Sequence, residues 1–261
     1  MCTLIVFFKK FHEYPVLALH NRYEKIGTVE LPPRVVKGKF KVFCPVDVRS
    51  RGSWIGFNEK GLFAAVTDQH TALPVKTGKS RGELILAILK NFSIAEEVVK
   101  YLEDSFKEGY KRGNFVILDS EKGYHVVYDE DLIVREIKEN LCVITNIMAV
   151  PGVKIPPTAM KIFEDAEVRR KRAIELSRKI FTDDIEEAIF ELKKIAADHG
   201  EKKGRRSICY HSELEDWVMM SSTIIAVARN IVDSKILYCK GNPCENTFQD
   251  YSHIIKNFRK M

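Results

Sequence analysis

The sequence lacks several features that would assign it to a familiar class at once. It has no pair of cysteines spaced as CxxC and no HExxH motif, so residue spacing indicates neither a zinc site nor a secreted disulfide framework. No run of residues approaches the roughly 18 apolar residues of a membrane span. The apolar run from Leu4 to Phe8 has no basic segment before it and is followed at once by Lys9 and Lys10, unlike a secretory signal. These absences predict a cytoplasmic protein without a membrane span or a metal site.

Cysteine is sparse and scattered along the chain. The six residues are Cys2, Cys44, Cys142, Cys209, Cys239 and Cys244. Cys239 and Cys244 are close enough in the chain to meet. The abundance of Lys, Glu and Ile suggests a thermophilic source, in which an intracellular disulfide is less unusual than in a mesophile.

Length and composition predict one globular domain over residues 1–261, since 45% of the residues are hydrophobic and 30% are charged. The formal net charge of +6 comes mainly from the clusters 169–172 and 202–206. No aromatic residues alternate with these basic residues, so a solvated surface is the favoured interpretation and anion binding is the alternative. Nucleic acid is not a predicted partner, and the sequence leaves the oligomeric state open.

Hydrophobic periodicity predicts an order of β-rich, α, β-rich, α and β-rich segments, which two sheets covered by helices on their outer faces would satisfy. Strands are predicted at Thr3–Phe8, Pro15–His20, Lys41–Val48, Gly52–Phe57, Leu62–Thr67, Asn114–Asp119, Tyr124–Tyr128, Leu132–Val134, Leu141–Thr145, Ser207–Tyr210, Val218–Ala228 and Lys235–Cys239. Helices are predicted from Gly82, from a capping box of Ser93 and Glu96 to about Lys107, over Thr158–Phe181, and between a cap at Asp183 or Asp184 and a stop at Gly200.

Cys2 is a candidate nucleophile because removal of Met1 would leave it at the N-terminus. It would then carry both a thiol and a free α-amino group, whose pKa of roughly 8 suits a base near neutral pH. Arg22 is the candidate cation that would favour the thiolate. If the first two strands pair, residues 21–24 lie near Cys2 at the exit of the second strand. The alternatives are that Cys2 begins a buried strand and that residues 21–24 form a strand-ending turn.

Several motifs together resemble the NRDE family, also called the transport-and-Golgi-organisation-two family. They are Met1-Cys2, Leu17-Ala18-Leu19-His20-Asn21-Arg22-Tyr23-Glu24, Gly52-Ser53-Trp54-Ile55-Gly56-Phe57, Gly61-Leu62-Phe63-Ala64-Ala65-Val66-Thr67 and Arg81-Gly82-Glu83-Leu84. The second half looks like penicillin acyltransferases of the C45 type and choloylglycine hydrolases, through Cys142-Val143-Ile144-Thr145-Asn146, Ser207-Ile208-Cys209-Tyr210-His211 and Gly241-Asn242-Pro243-Cys244-Glu245-Asn246. The resemblance implies an α+β fold, the four-layer αββα sandwich of the N-terminal-nucleophile hydrolases.

The resemblance also implies roles for particular residues. Cys2 would be the nucleophile, Arg22 the cation beside it and Asn146 a side-chain donor to the oxyanion. The substrate-binding candidates are Asn21, Glu24 and Trp54. The sequence departs from the family at Tyr23, where the namesake motif has Asp, and at Asp68, where relatives often have Asn.

An ionised Asp68 would repel an oxyanion. Either it is protonated, or it orients the amine of Cys2, or the site does not cleave amides. Because a peptide bond from Met1 would block that amine, we predict that native protein begins at Cys2.

The sequence supports two functional readings. One is a cysteine amidohydrolase or acyltransferase that acts on a small amide or thioester, with no cofactor. The other is the role proposed for the NRDE family, binding or trafficking of haem or of acyl-coenzyme A and related lipids. A purely structural protein is a third, less favoured reading. Candidate haem ligands are His20, His70, His125 and His211, although a structural histidine is the commoner case.

Overall fold

In the computed structural model, which describes residues 2–71, 78–105, 109–211 and 216–257, the first strand shows how the chain is layered. β1 (Thr3–Phe8) is buried along its whole length. Leu4 and Val6 belong to one hydrophobic core, and Ile5 and Phe7 belong to another. Because successive side chains of a strand point to opposite faces, burial on both faces requires a layer on each side. β1 therefore lies in an inner sheet.

The two sheets are antiparallel and stack face to face around the larger core. The first sheet has the order β10 (Leu141–Thr145), β1, β2 (Val16–Lys25), β11 (Trp217–Val227), β12 (Lys235–Lys240) and β13 (Gln249–Asp250). The second sheet has the order β3 (Glu30–Val36), β4 (Val42–Asp47), β5 (Ile55–Asn58), β6 (Phe63–Asp68), β7 (Gly113–Leu118), β8 (Gly123–Tyr128) and β9 (Leu132–Glu136).

Helices cover the outer face of each sheet. α1 (Arg81–Asn91) and α2 (Ala95–Ser105) pack on the second sheet, whereas α3 (Met160–Arg178) and α4 (Ile185–Ala196) pack on the first. A short α5 (His253–Lys256) follows β13. The predicted α+β class and αββα layering are confirmed. Within the described ranges, no helix is long and apolar enough to cross a membrane.

Three strand predictions differ from the structure. β2 continues to Lys25, so residues 21–24 belong to the strand and not to a turn at its exit. β3 was not predicted; it contains Pro32 and Pro33, which disfavour a regular strand, and the pairing register shifts between Leu31 and Arg34, which accommodates them. Residues 207–210 were predicted as a strand and form none.

Two predicted helix starts have different outcomes. Asp184 caps α4, and its side chain accepts a hydrogen bond from the Glu187 amide. The Ser93 capping box is wrong, because Asp119 of the neighbouring strand connection accepts a 2.8 Å hydrogen bond from the Ala95 amide. The predicted end of α2 near Lys107 lies outside the described residues.

Candidate active site

A cavity of about 520 Å³ opens beside Cys2 at the start of β1. Most of the residues that the sequence nominated line it, namely Cys2, Arg22, Glu24, Trp54 and Asp68. They come from both sheets and from the connections next to them. The stacking of the sheets, and not proximity along the chain, therefore assembles the site.

Cys2 is buried, with 7% of the residue exposed. Its Sγ contacts the backbone oxygen of Tyr23 at 3.9 Å. Burial raises the pKa of the Cys2 thiol above its usual value. The thiol is therefore neutral at rest near pH 7, and it needs a base before it can act as a nucleophile.

Arg22 is held by carboxylates and does not point a free charge at the thiol. Its Nη1 donates to Glu30 Oε2 and its Nη2 donates to Asp47 Oδ2, each at 2.6 Å. Its guanidinium carbon lies 4.1 Å from the centre of the Trp54 ring. Arg22 thus forms a rigid wall of the cavity whose charge is largely neutralised by its partners.

Asp68 forms an ion pair with Arg81 and a hydrogen bond with His70, whose Nε2 is 3.3 Å from Asp68 Oδ2. Burial alone would raise the pKa of Asp68, but the charge of Arg81 and the hydrogen bond with His70 hold it well below its usual range. These partners favour the ionised form of Asp68 over the protonated alternative considered from the sequence.

The close contact of Gly52 with the backbone of Gly82 explains how Arg81 reaches this position. A Cβ atom built on Gly52 would lie 2.3 Å from the Gly82 carbonyl carbon and 2.5 Å from the Glu83 amide nitrogen. The Ser53 amide donates to Gly82 O at 3.0 Å. The absence of a side chain at Gly52 lets the first turn of α1 dock against this segment, and Arg81 opens that turn at the cavity.

Asn21 points away from the cavity. It lies on the face of β2 that packs against the helices, where its Nδ2 donates to Ala196 O at 3.0 Å and to Ile208 O at 2.9 Å. Its Oδ1 accepts a 2.6 Å hydrogen bond from Ser222. This side chain is fully engaged, and its geometry is that of a buried connector between layers.

Asn146 is also absent from the described lining of the cavity, and it directly follows β10. Thr3 of β1 pairs with Thr145 of β10, so Cys2 and Asn146 each lie one residue beyond the paired ends of these two strands. Its buried Nδ2 has no hydrogen-bond partner in the part of the chain that the structure describes. A buried amide without an acceptor is uncommon and invites a functional explanation.

Arg169 was not identified from the sequence, which placed it in a basic cluster favoured as solvated surface. It is fully buried, and burial lowers its pKa to about 10. It donates to Thr3 Oγ1 at 3.0 Å, to Arg205 O at 2.6 Å and to Asn146 Oδ1 at 2.6 Å. The signal was present: Ala166, Ala173 and Ser177 flank it on the buried face of α3, and such small residues leave room for one long side chain.

The histidines considered as haem ligands have separate surroundings. His20 is fully buried between the sheets, and burial lowers its pKa to about 3. His125 Nε2 lies 3.1 Å from Asn114 Oδ1. His70 pairs with Asp68, and His211 belongs to a different cluster, described below. None of the four is among the described residues that line the cavity.

The model of the family described as Transport and Golgi organisation 2 matches residues 1–231. The chain belongs to this family. No curated protein matches it in sequence. The family match confirms the resemblance that the sequence motifs, including Asn21-Arg22-Tyr23-Glu24, indicated.

Solved structures of low sequence identity share the fold of this family member. Penicillin V acylase from Agrobacterium tumefaciens has a TM-score of 0.58 and 16% identity over 96% of this chain and 86% of the acylase. A mutant conjugated bile acid hydrolase from Clostridium perfringens has a TM-score of 0.58 and 16% identity over 96% of both chains. A Caenorhabditis elegans N-acylethanolamine-hydrolyzing acid amidase orthologue has a TM-score of 0.52 and 13% identity over 86% of this chain and 92% of the orthologue. These similarities show the N-terminal-nucleophile hydrolase fold.

Proposed function

We propose that this protein is a cysteine amidohydrolase or acyltransferase that acts on a small amide or thioester. The observation that carries the proposal is the position of Cys2, which lies at the N-terminal end of an inner strand and lines a cavity of about 520 Å³. The solved structures with this fold include an acylase, a hydrolase and an amidase by name, which supports a reaction of the same class.

In this proposal the α-amino group of Cys2, freed by removal of Met1, accepts the thiol proton. Sγ then forms a bond to the substrate carbonyl carbon, and the leaving amine or thiol departs with that proton. Water, or an acceptor amine in a transferase, attacks the resulting thioester and releases the acyl group from Cys2. A buried thiol of raised pKa requires such an internal base, because it has little thiolate of its own.

Asn146 is proposed to donate its free Nδ2 hydrogens to the oxyanion. Arg169 holds the other end of the same amide, so exchange of the nitrogen and oxygen positions would set a donor against the Arg169 guanidinium. The amide is thus oriented before substrate arrives, and one such donor is worth roughly 3 kcal/mol of transition-state stabilisation.

Asp68 is proposed to stabilise the α-ammonium group that forms when the amine takes the thiol proton. Its negative charge is balanced by Arg81, which limits its repulsion of an oxyanion. Arg22 and Trp54 are proposed as a fixed wall against which the substrate lies, with Glu24 at its edge.

A second candidate function is binding of an acyl-coenzyme A, and the charge of the cavity favours it. Among the described residues that line the cavity, six are basic (Arg22, Lys25, Arg49, Lys79, Arg81 and Lys111) and four are acidic (Glu24, Asp47, Asp68 and Glu83). Such a basic lining suits the phosphates of coenzyme A. Since no histidine is among its described lining residues, acyl-coenzyme A is a better candidate than haem.

Thiol reactivity tests the first proposal. Iodoacetamide should modify Cys2 faster than Cys44 or Cys142 in protein whose mass shows that Met1 is absent. Burial raises the pKa of Cys44 to about 12 and that of Cys142 to about 11, so these two cysteines are internal references. Cys2→Ala should abolish the fast phase.

Retention of Met1 should also slow the reaction at Cys2 without unfolding the protein, because an amide nitrogen is a poor base. Equal, slow modification of all cysteines in the processed protein would contradict the enzymatic proposal. Saturable binding of an acyl-coenzyme A in that same preparation, without release of coenzyme A, would then favour the binding function.

A further inference from the structure

A second cluster of reactive side chains lies at the edge of the molecule, between α4 and the first sheet. His199 follows the end of α4, Cys209 and His211 precede β11, and Cys244 follows β12. One nitrogen or sulfur atom of each residue lies within 4.8 Å of the corresponding atoms of the other three. The residues come from three separate segments, so the fold alone brings them together.

Four of the six distances within this Cys2His2 cluster lie within about 0.4 Å of the edges of a zinc-centred tetrahedron, and the two from His199 to the cysteines are at most 4.8 Å. The two Nε2 atoms of His199 and His211 are 3.0 Å apart, and the two Sγ atoms of Cys209 and Cys244 are 3.5 Å apart. His211 Nε2 lies 3.4 Å from Cys244 Sγ and 3.7 Å from Cys209 Sγ. With Zn–S of about 2.3 Å and Zn–N of about 2.05 Å, tetrahedral geometry requires edges of about 3.4 Å for N–N, 3.6 Å for N–S and 3.8 Å for S–S.

The chemistry of the four groups also suits a divalent ion. Two thiolates and two neutral imidazoles carry a charge of −2, which a dication cancels, and binding would release the two thiol protons to solvent. Asn242 supports the same centre, because its Nδ2 donates to Tyr210 O at 2.9 Å and lies 3.6 Å from Cys209 Sγ. Such an amide orients the loop and donates towards a thiolate.

A disulfide explains the cluster less well. A Cys209–Cys244 bond needs an S–S distance of about 2.05 Å. It would not explain why the side chains of His199 and His211 also point to the two sulfur atoms. Cys239, the partner of Cys244 suggested by the sequence, is a free thiol whose Sγ instead contacts Asn246 O at 3.5 Å.

We propose that His199, Cys209, His211 and Cys244 bind one zinc ion as a structural site. Four protein ligands fill a tetrahedral shell and leave no position for water or substrate, which is the arrangement of structural and not of catalytic zinc. The absence of a CxxC pair did not reveal this site, because its ligands are spaced differently. Nine residues separate His199 from Cys209, one separates Cys209 from His211, and 32 separate His211 from Cys244. The metal would tie the end of α4 to the strands β11 and β12.

The site also supports the strand that carries Arg22. The segment that contains Cys209 places Tyr210 against Tyr23 of β2, with ring centres 4.0 Å apart, and its Ile208 oxygen accepts a hydrogen bond from Asn21. Metal loss should therefore weaken the packing on the face of β2 that carries Asn21 and Tyr23. The proposed metal would act on the cavity only through this packing.

The test uses the untagged full-length chain, purified under reducing conditions with its six thiols confirmed by titration. We expect one zinc per chain by elemental analysis. Replacement by Co²⁺ should give the intense visible bands of tetrahedral cobalt together with a thiolate-to-cobalt charge-transfer band. The double variant Cys209→Ser, Cys244→Ser should lose both signals, whereas the matched control Cys142→Ser should keep them.

The cobalt titration of the unmodified chain decides the question if the double variant fails to fold. A fully reduced chain that takes up neither Zn²⁺ nor Co²⁺ in stoichiometric amount would overturn the proposal. So would protein from the native host that carries a Cys209–Cys244 disulfide and no metal. A zinc content that persists in the folded double variant would place the ion elsewhere and would equally refute this site.

Discussion

Arg169 donates a 2.6 Å hydrogen bond to the side-chain oxygen of Asn146, and the amide nitrogen at the other end of that group has no partner among the described residues. A fully buried cation thus fixes the orientation of the Asn146 amide. In the proposed reaction Asn146 donates to the oxyanion, and Arg169 is a positioning residue that acts through it.

Substitution at these two positions should show this dependence. Asn146→Ala should lower kcat by about 10² to 10³, the loss expected for one oxyanion donor. Arg169→Lys should lower kcat less and leave KM unchanged, because the amide loses its fixed orientation. In the Asn146→Ala background, Arg169→Lys should have no further effect on kcat. A full additional loss in that background would mean that Arg169 acts only on the fold.

Asp68 should contribute to stability in a pH-dependent manner. Its folded-state pKa is depressed by Arg81 and His70, so its contribution is fully present above the unfolded-state value of about 3.9 and is lost progressively as the pH falls from there towards the depressed folded-state pKa. We expect Asp68→Asn to lower the free energy of unfolding by about 2 kcal/mol at pH 7. Denaturant unfolding at pH 7 and pH 3 measures this, and a difference of equal size at both values would contradict the ionised assignment.

Asn21 should be needed for stability and not for chemistry. Asn21→Ala removes hydrogen bonds to Ala196 O, Ile208 O and Ser222, all of them buried, and should cost about 3 kcal/mol in the free energy of unfolding. The rate of Cys2 alkylation should stay within about twofold of the original value. A large fall in that rate, with stability unchanged, would restore the substrate-binding role expected from the sequence.

Gly52 should be intolerant of a side chain because α1 begins against it. The Cβ of Gly52→Ala would meet backbone atoms of Gly82 and Glu83, so the first turn of α1 must move and Arg81 with it. We expect lower stability and altered Cys2 alkylation. Gly61→Ala is the control: its Cβ meets nothing within 4 Å, although its φ of +87° should cost about 1–2 kcal/mol. Cys2 reactivity should remain unchanged in that control, and a change of equal size in both variants would contradict a local effect.

The sequence predicted the layers more completely than the site. The continuous apolar run of β1 and the small and apolar residues of β5 and β6 are local signals, and they indicate buried strands directly. Asn21 and Arg22 are neighbours in the sequence but lie on opposite faces of β2, so a motif that contains both residues cannot indicate which one reaches the cavity. That decision depends on strand pairing over more than a hundred residues of chain, which periodicity does not encode.

Arg169 and the Cys2His2 cluster show the same limit for long-range structure. A buried arginine in a basic run has the composition of a surface helix, and only the small residues around it indicate otherwise. His199 and Cys244 are 45 residues apart, and no short motif joins them. Such sites become visible only when the chain is folded.

The side chains of β1 point alternately to the two faces of its sheet, and this alternation determines which face the Cys2 thiol occupies. Even-numbered residues of this strand face the space between the sheets, and Thr3, an odd one, reaches Arg169 of the helical layer. One extra residue inserted between Cys2 and Thr3, with the strand register kept, would turn the thiol towards that buried cation and away from the cavity. Removal of Met1 therefore leaves the Cys2 thiol facing the cavity, whereas an insertion between Cys2 and Thr3 would turn it to the opposite face of the sheet.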